Sequence, residues 1–450
     1  MTLKKKEISE EMQSYSIVGD LISYLRCPLA YRKISIGNLT PSRPSQLWFG
    51  NFIHGVMEQL FYIYHVGVSI PPPLKPVCLL EKKVDQTVIS IEDIDYFNFI
   101  DDVKECDKSC SERKCLYRIC YEVAARLASN RIFARSKVMV NSAIFRINLL
   151  LNEIGTQLIP LIKAAEIPLK GIRRYEGQPF NYEKFKNLIG GSRKAFYEIR
   201  GIIDVISQFD IEEFLNAIKS EDSSKQPRNI ILKNIGQHFY PDLFEIDDES
   251  INLMETVIIN LARDFPAGFE IILDYKGQIR PEVSEESDWY KHEWQIRTYK
   301  WLREQQMQQM PVVAGILIYI NEFLPSKQDI QKIARLSETK ETDLVLTDEQ
   351  IELLKKHAFN PQAYLKNIPM DYRHNRAIRF IDLRNKSKTK ESIEKYDRTV
   401  LEIQLCSSIE KQNGNLEIWE NKGNPEMCGS CDFRYVCRKE GSVTPKPEAP

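Results

Sequence analysis

Two carboxylates and a lysine in the middle of the sequence have the spacing of a hydrolytic metal site. The segment "FEIILDYKGQ" is a short apolar strand that ends in Asp274 and Lys276. Because residues i and i+2 of a strand point to the same side, these two side chains face one site. Asp204 lies near the end of another strand-like segment, "FYEIRGIIDVISQF", and a hairpin partner would place it beside Asp274. Two such carboxylates hold a hard divalent cation, and the lysine can orient or help deprotonate a water.

The elements that must position these side chains follow from hydrophobic periodicity. "WYKHEWQIRTYKWLREQQ" has a helical pattern and leads into the apolar strand "VVAGILIYI", so strand, helix and strand form a βαβ unit. Upstream, "QLWFGNFIHGVMEQLFYIYH" has apolar residues at helical spacing, and His54 and Glu58 share another face of that helix. From the residues alone, His54 is a structural histidine or a metal ligand, and Glu58 is a solvated or supporting residue. A DxK triplet alone is also common at the surface ends of ordinary strands.

Cysteines cluster near the end of the chain. "EMCGSCDFRYVC" holds Cys428, Cys431 and Cys437, whereas metal sites built from thiolates usually have four ligands. Residues 16–34 have a helical pattern with Ser16 as a candidate N-cap, and the pattern is interrupted at Pro28, beside Cys27. In a reducing compartment, clustered cysteines indicate metal ligands rather than disulfides.

A second group of cysteines lies in a segment with a mostly helical pattern. Its members are Cys106, Cys110, Cys115 and Cys120. Their spacing matches no zinc or cluster pattern that we can name. Two interpretations stay open, a second metal site and a set of buried helical cysteines.

Length and charge limit the class of protein. A chain of 450 residues is too long for one compact core, so we expect two or three lobes or one core with large insertions. The formal net charge is −1, so a nucleic-acid-binding protein of this composition needs a local basic surface. The stretch "RHNRAIRFIDLRNKSKTK" is such a candidate, although a charge run is usually a solvated face. Its candidate DNA-contacting residues are Arg373, Arg376, Arg379, Arg384, Lys386 and Lys388.

Several classes are disfavoured by what the sequence lacks. The longest apolar run, residues 312–320, is about half the length of a membrane span. The first residues are basic and then acidic with no apolar core behind them, so we expect no signal peptide and a cytoplasmic protein. No GxxxxGK[ST] loop is present, which disfavours a built-in ATP motor.

Five motifs, in order, resemble those of the RecB-like iron–sulfur nucleases of the PD-(D/E)xK superfamily. That group includes the AddB-type, exonuclease V and CRISPR-associated exonuclease families. The matching segments cover about a third of the chain. They are the lone cysteine in "YLRCPLAYR", the histidine in "GNFIHGVMEQ", the GxxD-like "IRGIIDVI", the (D/E)xK-like "ILDYKGQ", and the QxxxY-like "QIRTY" followed by CxxC and a distal cysteine.

The resemblance implies an α/β fold with a restriction-endonuclease-like core. A central mixed sheet would be flanked by helices, with large, mainly helical insertions and an iron–sulfur lobe that joins the two chain ends. Cys27 would be the fourth thiolate, with Cys428, Cys431 and Cys437, of a [4Fe–4S] cluster. A zinc site with the same ligands is the alternative, since thiolates accept either metal.

The resemblance also implies roles for the hydrolytic residues. His54, Asp204 and Asp274 would bind Mg²⁺ or Mn²⁺, with the carbonyl of Tyr275 as a further oxygen ligand. Lys276 would position the attacking water. The two remaining residues would support Lys276 or contact DNA, and they are Gln295 and Tyr299.

We therefore predict a metal-dependent deoxyribonuclease, acting as an exonuclease on single-stranded DNA. The alternatives are a non-catalytic DNA-binding subunit, and a complex-dependent enzyme of prespacer trimming, recombination or defence that works with protein partners. The long gaps between motifs imply insertions. The predicted segments are a cysteine and histidine region at 1–66, a helical insertion at 67–160, a nuclease core at 161–325 with an insertion at about 210–265, an insertion with the basic stretch at 326–415, a cluster lobe at 416–440 and a flexible tail at 441–450.

Overall fold

A computed structural model describes most of the chain, and the longest segment outside the description is residues 67–115. The described residues are 12–39, 45–66, 116–155, 158–174, 196–210, 230–244, 253–282, 288–306, 310–342, 344, 346–357, 361–422, 428, 431–434 and 437. Their strands are β1 (Gln13–Ser16), β2 (Ile162–Arg174), β3 (Phe196–Phe209), β4 (Phe269–Lys276), β5 (Val312–Tyr319) and β6 (Ile378–Asp382).

Helices make up most of the remaining described residues. The α-helices, apart from two short turns described below, are α1 (Ser45–Val66), α2 (Leu116–Ser129), α3 (Lys137–Leu150), α4 (Ile230–Phe239), α5 (Leu253–Asp264), α6 (Asp288–Glu304), α7 (Ile320–Phe323), α8 (Lys327–Glu338), α9 (Asp348–His357), α10 (Pro361–Asn367), α11 (Met370–Ala377) and α12 (Lys386–Asn413). A π-helical turn, Leu151–Gly155, and 3₁₀ turns at Ile159–Leu161 and Pro241–Phe244 connect some of them. Within this part of the chain, no helix combines the length and apolar character needed to cross a bilayer.

The chain divides into two compact units. The first comprises Met1–Ser42, Pro168–Gly201 and Ser387–Pro450, and the second comprises Arg43–Ile167 and Ile202–Lys386. The predicted segments follow the order of the sequence, whereas both units are built from separate stretches of it. The segment boundaries stay a prediction.

A mixed sheet forms the centre of the second unit. Residues 205–209 of β3 run antiparallel to β4, β4 runs parallel to β5, and β5 runs antiparallel to β6. Together β4, α6 and β5 form the predicted βαβ unit, which the structure confirms. Strand β6 lies inside the predicted insertion at 326–415, so that part of the segment belongs to the sheet.

Helices cover both faces of this sheet because its central strands are apolar on both sides, as parallel neighbours usually are. One face joins a core with α1 to α5, and the apolar stripe predicted for α1 is buried there, with Ile53 and Val56 fully enclosed. Helix α6 packs on β4 and β5. At Gly315 a Cβ atom would lie only 2.2 Å from Ile296 Cγ2, so this close approach of helix and strand requires glycine.

Helices α8 to α10 build a separate small core with the start of α11. Ile330, Leu354 and Tyr364 are its most buried members. Helix α8 begins with a capping box between Ser326 and Asp329, a local signal that fixes its start.

The first unit brings together the two ends of the chain. Strand β1 runs parallel to residues 197–200 of β3. Ser16 accepts a hydrogen bond from Asp20 N, which confirms it as an N-cap; helical turns then run over Ile17–Ile22, Ser23–Arg26, Pro28–Tyr31 and Arg32–Ile36. Arg32 forms an ion pair with Glu410 near the end of α12, and Leu29 N donates to Glu420 O at 3.3 Å.

Candidate active site

The two predicted carboxylates are brought together by the end of β4 and by the middle of β3, at the point where the pairing between these strands begins. Val205 pairs with Leu273 in antiparallel register, so Asp204 and Asp274 follow at the same end of the sheet. Asp204 Oδ2 accepts a hydrogen bond of 3.2 Å from Tyr275 N, and Asp274 is only 2% exposed. The prediction that these strands would place the two acids side by side agrees with this geometry.

Helix α1 brings His54 to the same place. Its Nδ1 atom lies 3.3 Å from Asp204 Oδ2, and the backbone carbonyl of Tyr275 is close enough to act to raise the pKa of the imidazole. The neighbouring Gly55 lets α1 pack closely on α2, because a Cβ atom there would lie 2.8 Å from Val123. The side chain and the carbonyl implied as metal ligands therefore lie beside the two acids.

Lys276 sits in a chain of hydrogen bonds that reaches into α6. Its Nζ atom lies 2.8 Å from Asp274 Oδ2 and donates to Gln295 Oε1 at 2.9 Å. Gln295 Nε2 in turn donates to the Tyr299 hydroxyl at 2.9 Å. Gln295 and Tyr299 are one helical turn apart and both are buried, so they hold the lysine rather than present their own side chains to solvent.

Sequence reasoning missed a third carboxylate, Glu166 on β2. The possible ligand atoms of His54, Glu166 and Asp204 all lie within 4.8 Å of one another. Glu166 has a φ of 53°, a left-handed conformation that usually costs about 1–3 kcal/mol in a residue other than glycine. Its only signal in the sequence was a single acid inside the apolar segment "AAEIPL".

Crowding of negative charge shapes the titration of this site. Burial raises the pKa of Asp204, and the neighbouring Asp274 carboxylate raises it further. Burial also acts to raise the pKa of Asp274, but the Lys276 ammonium outweighs it together with hydrogen bonds, so that pKa lies below its usual value. Burial raises the pKa of Glu166 as well, with a smaller increase from Glu58.

The same burial keeps His54 in the form that binds metals. Burial lowers the pKa of His54, against an opposite effect of Asp274, so the imidazole is neutral at pH 7. One neutral imidazole and two or three crowded carboxylates suit a hard divalent cation such as Mg²⁺ or Mn²⁺, which relieves their repulsion.

This electrostatic arrangement predicts an unusual effect of Asp204→Asn on stability. With EDTA present, the variant is expected to melt at a higher temperature than wild type at neutral pH. A raised pKa in the folded state means that the ionised Asp204 carboxylate destabilises the fold, and asparagine removes that charge. Each 1 kcal/mol relieved should raise the melting temperature by about 2–4 °C.

Metal and pH provide the checks on this prediction. Mn²⁺ at about 100 times its dissociation constant should stabilise wild type by about 2.7 kcal/mol and should leave Asp204→Asn unchanged. In EDTA, wild type should gain stability relative to the variant as the pH falls through the raised pKa of Asp204, because the folded state then binds the extra proton. A variant that melts lower in EDTA or keeps the Mn²⁺ shift would contradict the assignment.

The six predicted DNA-contacting residues fall into two groups in the structure, three that are buried and three that are exposed. Arg376 donates twice to Glu322 at 2.8 Å, and Arg373 pairs with the partly buried Glu153 at 2.6 Å. Arg379 lies 4.1 Å over the ring of Trp289. All three arginines are at most 6% exposed. The prediction of a continuous DNA-contacting face is therefore corrected, since these charges serve contacts inside the protein.

The remaining three residues of that stretch are exposed. They are Arg384, which pairs with Asp382 at 2.7 Å, and the two lysines at the start of α12, Lys386 and Lys388. Contact between these side chains and DNA stays a prediction.

The first unit gathers the cysteines predicted to bind iron. Cys27 has an extended backbone between two helical turns, and its Sγ lies 3.9 Å from Asn421 Oδ1. Asn421 Nδ2 donates to Cys437 Sγ at 3.0 Å. Burial raises the pKa of Cys437, and Cys27 raises it further. Lys33 lowers this pKa, whereas Cys428 and Cys431 each add a smaller increase. The other three sulfurs therefore lie close enough to Cys437 to affect its pKa.

The second group of cysteines is described at one position only. Cys120 is fully buried in α2, which agrees with the interpretation of a buried helical cysteine. The other three, Cys106, Cys110 and Cys115, lie outside the described residues.

Part of the chain matches a model of a known protein family. Residues 264–438, fewer than half of the chain, match the family model described as the PD-(D/E)XK nuclease superfamily. The matched region contains Asp274, Lys276 and the C-terminal cysteines up to Cys437, whereas His54 and Asp204 lie before it. No curated protein matches the sequence. Residues 264–438 are thus similar to the PD-(D/E)XK nuclease superfamily, whose members are generally nucleases that use divalent metals, and the mixed sheet flanked by helices is consistent with such a core.

Proposed function

We propose that this protein is a divalent-metal-dependent deoxyribonuclease that hydrolyses single-stranded DNA from an end. The observation that carries the proposal is the convergence of His54, Asp204 and Asp274 beside Lys276, on separate elements of one unit. Carboxylates and an imidazole can bind a divalent cation, and a lysine beside them can act on water or phosphate. These are the groups that metal-dependent hydrolysis of a phosphodiester needs.

The acidic residues and the histidine would hold the cation. Asp204 and Asp274 supply oxygen ligands, His54 a neutral nitrogen, and the Tyr275 carbonyl a further oxygen. Glu166 is within reach of the same position and adds a third carboxylate. When bound, the cation lowers the pKa of the attacking water and neutralises negative charge on the phosphate.

Lys276 would act on the attacking water or on a phosphate oxygen. An ammonium has three N–H donors, and Asp274 Oδ2 and Gln295 Oε1 lie at 2.8 and 2.9 Å from it. The third donor can then point to the reacting atoms. Gln295 and Tyr299 fix the direction of that donor, because each is buried and hydrogen-bonded to the next.

In the first unit, Cys27, Cys428, Cys431 and Cys437 would hold a [4Fe–4S] cluster as a structural clip. The support is that Cys27 approaches three cysteines from the other end of the chain. Zinc would suit the same thiolates, and iron, acid-labile sulfide and zinc analysis of purified protein distinguishes the two metals.

The activity is tested with single-stranded DNA labelled at either end, incubated with Mg²⁺, Mn²⁺ or EDTA. We expect stepwise shortening from one end with either metal and none with EDTA, and the order of label release gives the polarity. A circular single strand should resist cleavage. Rapid cutting of the circle would contradict an exonuclease, and no cleavage of any DNA with either metal would contradict the proposed function.

A further inference from the structure

A long stretch around α2 and α3 is basic in an otherwise balanced chain. The whole sequence has 62 Lys and Arg against 63 Asp and Glu. Residues 123–152 contain five Lys and Arg and no acid. They fall within the second unit, and this stretch is not part of the basic segment at 373–390 discussed above.

The turn between α2 and α3 presents an aromatic ring to solvent. Phe133 is 64% exposed, although its neighbours Ile132 and Ala134 pack against the main core. The backbone is well tied, with Ile132 N donating to Leu127 O at 2.9 Å and Arg131 N to Ala128 O at 2.9 Å. Residues 131–135 alternate between exposed and partly buried side chains, and these hydrogen bonds hold the backbone in that arrangement. Phe133 and Arg135 are therefore both exposed to solvent.

The same surface begins beside the candidate active site. Arg126, near the end of α2, lies 3.4 Å from Glu58 on α1, one helical turn from His54. A Cβ atom at Gly55 would lie 2.9 Å from Arg126 Nη2. Arg126 also acts to lower the pKa of Glu166. From Arg126 the chain leads directly to Arg131, Phe133 and Arg135.

The geometry points to a substrate-binding surface for single-stranded DNA, formed by Arg126, Arg131, Phe133 and Arg135 and leading to the metal site. The inference rests on the proposed nuclease function and names the part of the chain that holds the strand beyond the scissile bond. Phosphates would pair with the arginines, and one base would stack on Phe133.

The chemistry favours a single strand over other occupants. Arginines beside an exposed aromatic ring combine the two interactions that bind an unpaired strand, pairing with phosphates and stacking on bases. A duplex has its bases stacked on one another and offers none to the ring. Arg126, Arg131 and Arg135 are exposed, and because residues 123–152 contain no acid, they give this surface charge complementarity to a polyanion, which a protein partner would not generally require.

Binding is measured by fluorescence anisotropy of a labelled oligothymidylate, with Ca²⁺ in place of Mg²⁺ to prevent cleavage. Phe133→Ala should weaken binding about tenfold, and Phe133→Trp should restore it, because either ring gives a base a surface to stack on. Arg135→Gln should reduce the slope of log affinity against log salt by about 0.7, the value for one lost contact to single-stranded phosphate.

Matched changes on α5 serve as controls. Ile259 is 52% exposed and the side chain of Arg263 is 69% exposed, so Ile259→Ala and Arg263→Gln remove similar groups elsewhere in the same unit. Both should bind as wild type does. Hydrolysis of bis(p-nitrophenyl) phosphate, a small diester, should likewise be the same in Ile259→Ala, Arg263→Gln and wild type.

The outcomes separate the surface from the chemistry. Unchanged affinity in Phe133→Ala, or equal affinity of wild type for duplex and single strand, would overturn the surface. Failure of wild type to bind the oligothymidylate at low salt would overturn it as well. A third outcome is that wild type hydrolyses neither DNA nor bis(p-nitrophenyl) phosphate, while Phe133→Ala still binds the oligothymidylate more weakly than wild type does. That result would support the binding surface and reject the proposed nuclease activity.

Discussion

Lys276→Ala is expected to slow DNA cleavage by about a thousandfold, the range seen when a group that acts only on the reacting atoms is removed. The affinity for single-stranded DNA, measured in Ca²⁺, should change little, because binding is spread over many phosphates. The lysine contributes a donor aimed at the reacting atoms, and alanine leaves Asp274 without its neighbouring positive charge. Single-turnover cleavage of labelled DNA measures the effect directly.

Tyr299→Phe is the matched control on the same hydrogen-bond chain. It keeps the buried ring and removes one hydrogen bond to Gln295, about 0.5–1.5 kcal/mol or a two- to tenfold loss of rate. An effect as large as that of the lysine change would mean that Tyr299 takes part in the reaction. Cleavage at the wild-type rate by Lys276→Ala in Mn²⁺ would reject the active-site assignment.

The strands and helix around Lys276 were readable from the sequence because their signals are local. Strands β4 and β5 are short, almost continuous apolar runs, and helix α6 is the single long segment between them. The carboxylate and lysine of β4 then fall on one side by strand geometry alone. Strand β6 escaped notice because its five residues carry an arginine and an aspartate, which gave the segment a polar appearance.

Glu166 could not be predicted from periodicity. Its left-handed backbone breaks the alternation of β2, so the side on which its side chain falls is not given by its place in the strand. Its partners His54 and Asp204 lie 112 residues before it and 38 residues after it, and one sequence carries no signal that links such distant positions.

The basic stretch at 373–390 shows that the sequence also does not reveal which charged residues are buried in tertiary contacts. Arginines in a polar segment predict a solvated or DNA-contacting face, but Arg376 is only 2% exposed. Its partner Glu322, which is fully buried, also accepts a hydrogen bond from Arg280 N at 3.0 Å. The pairing is set by tertiary packing between α7 and α11, and composition alone does not reveal it.

Cys27→Ser is expected to give a protein without iron and with a lower melting temperature. Serine is a poor ligand for iron, so the proposed cluster should be lost or labile. A link from Cys27 to Cys428 closes a loop of about 400 residues, and constraining such a loop in the unfolded chain contributes at most about 6 kcal/mol. Domain stabilities are about 5–15 kcal/mol, so loss of half that bound is measurable.

The packing of the first unit limits how far this damage should spread. The contacts of Arg32 with Glu410 and of Leu29 with Glu420 do not depend on a metal, so we expect the Cys27→Ser variant to fold with reduced stability. Cys406→Ser is the matched control, because Cys406 is buried in the same unit and its Sγ lies 3.6 Å from Ile418 O. That variant should keep its iron and its colour. If Cys27→Ser keeps both as well, and melts at the same temperature as wild type, the fourth thiolate lies elsewhere and the contacts in the first unit hold without Cys27.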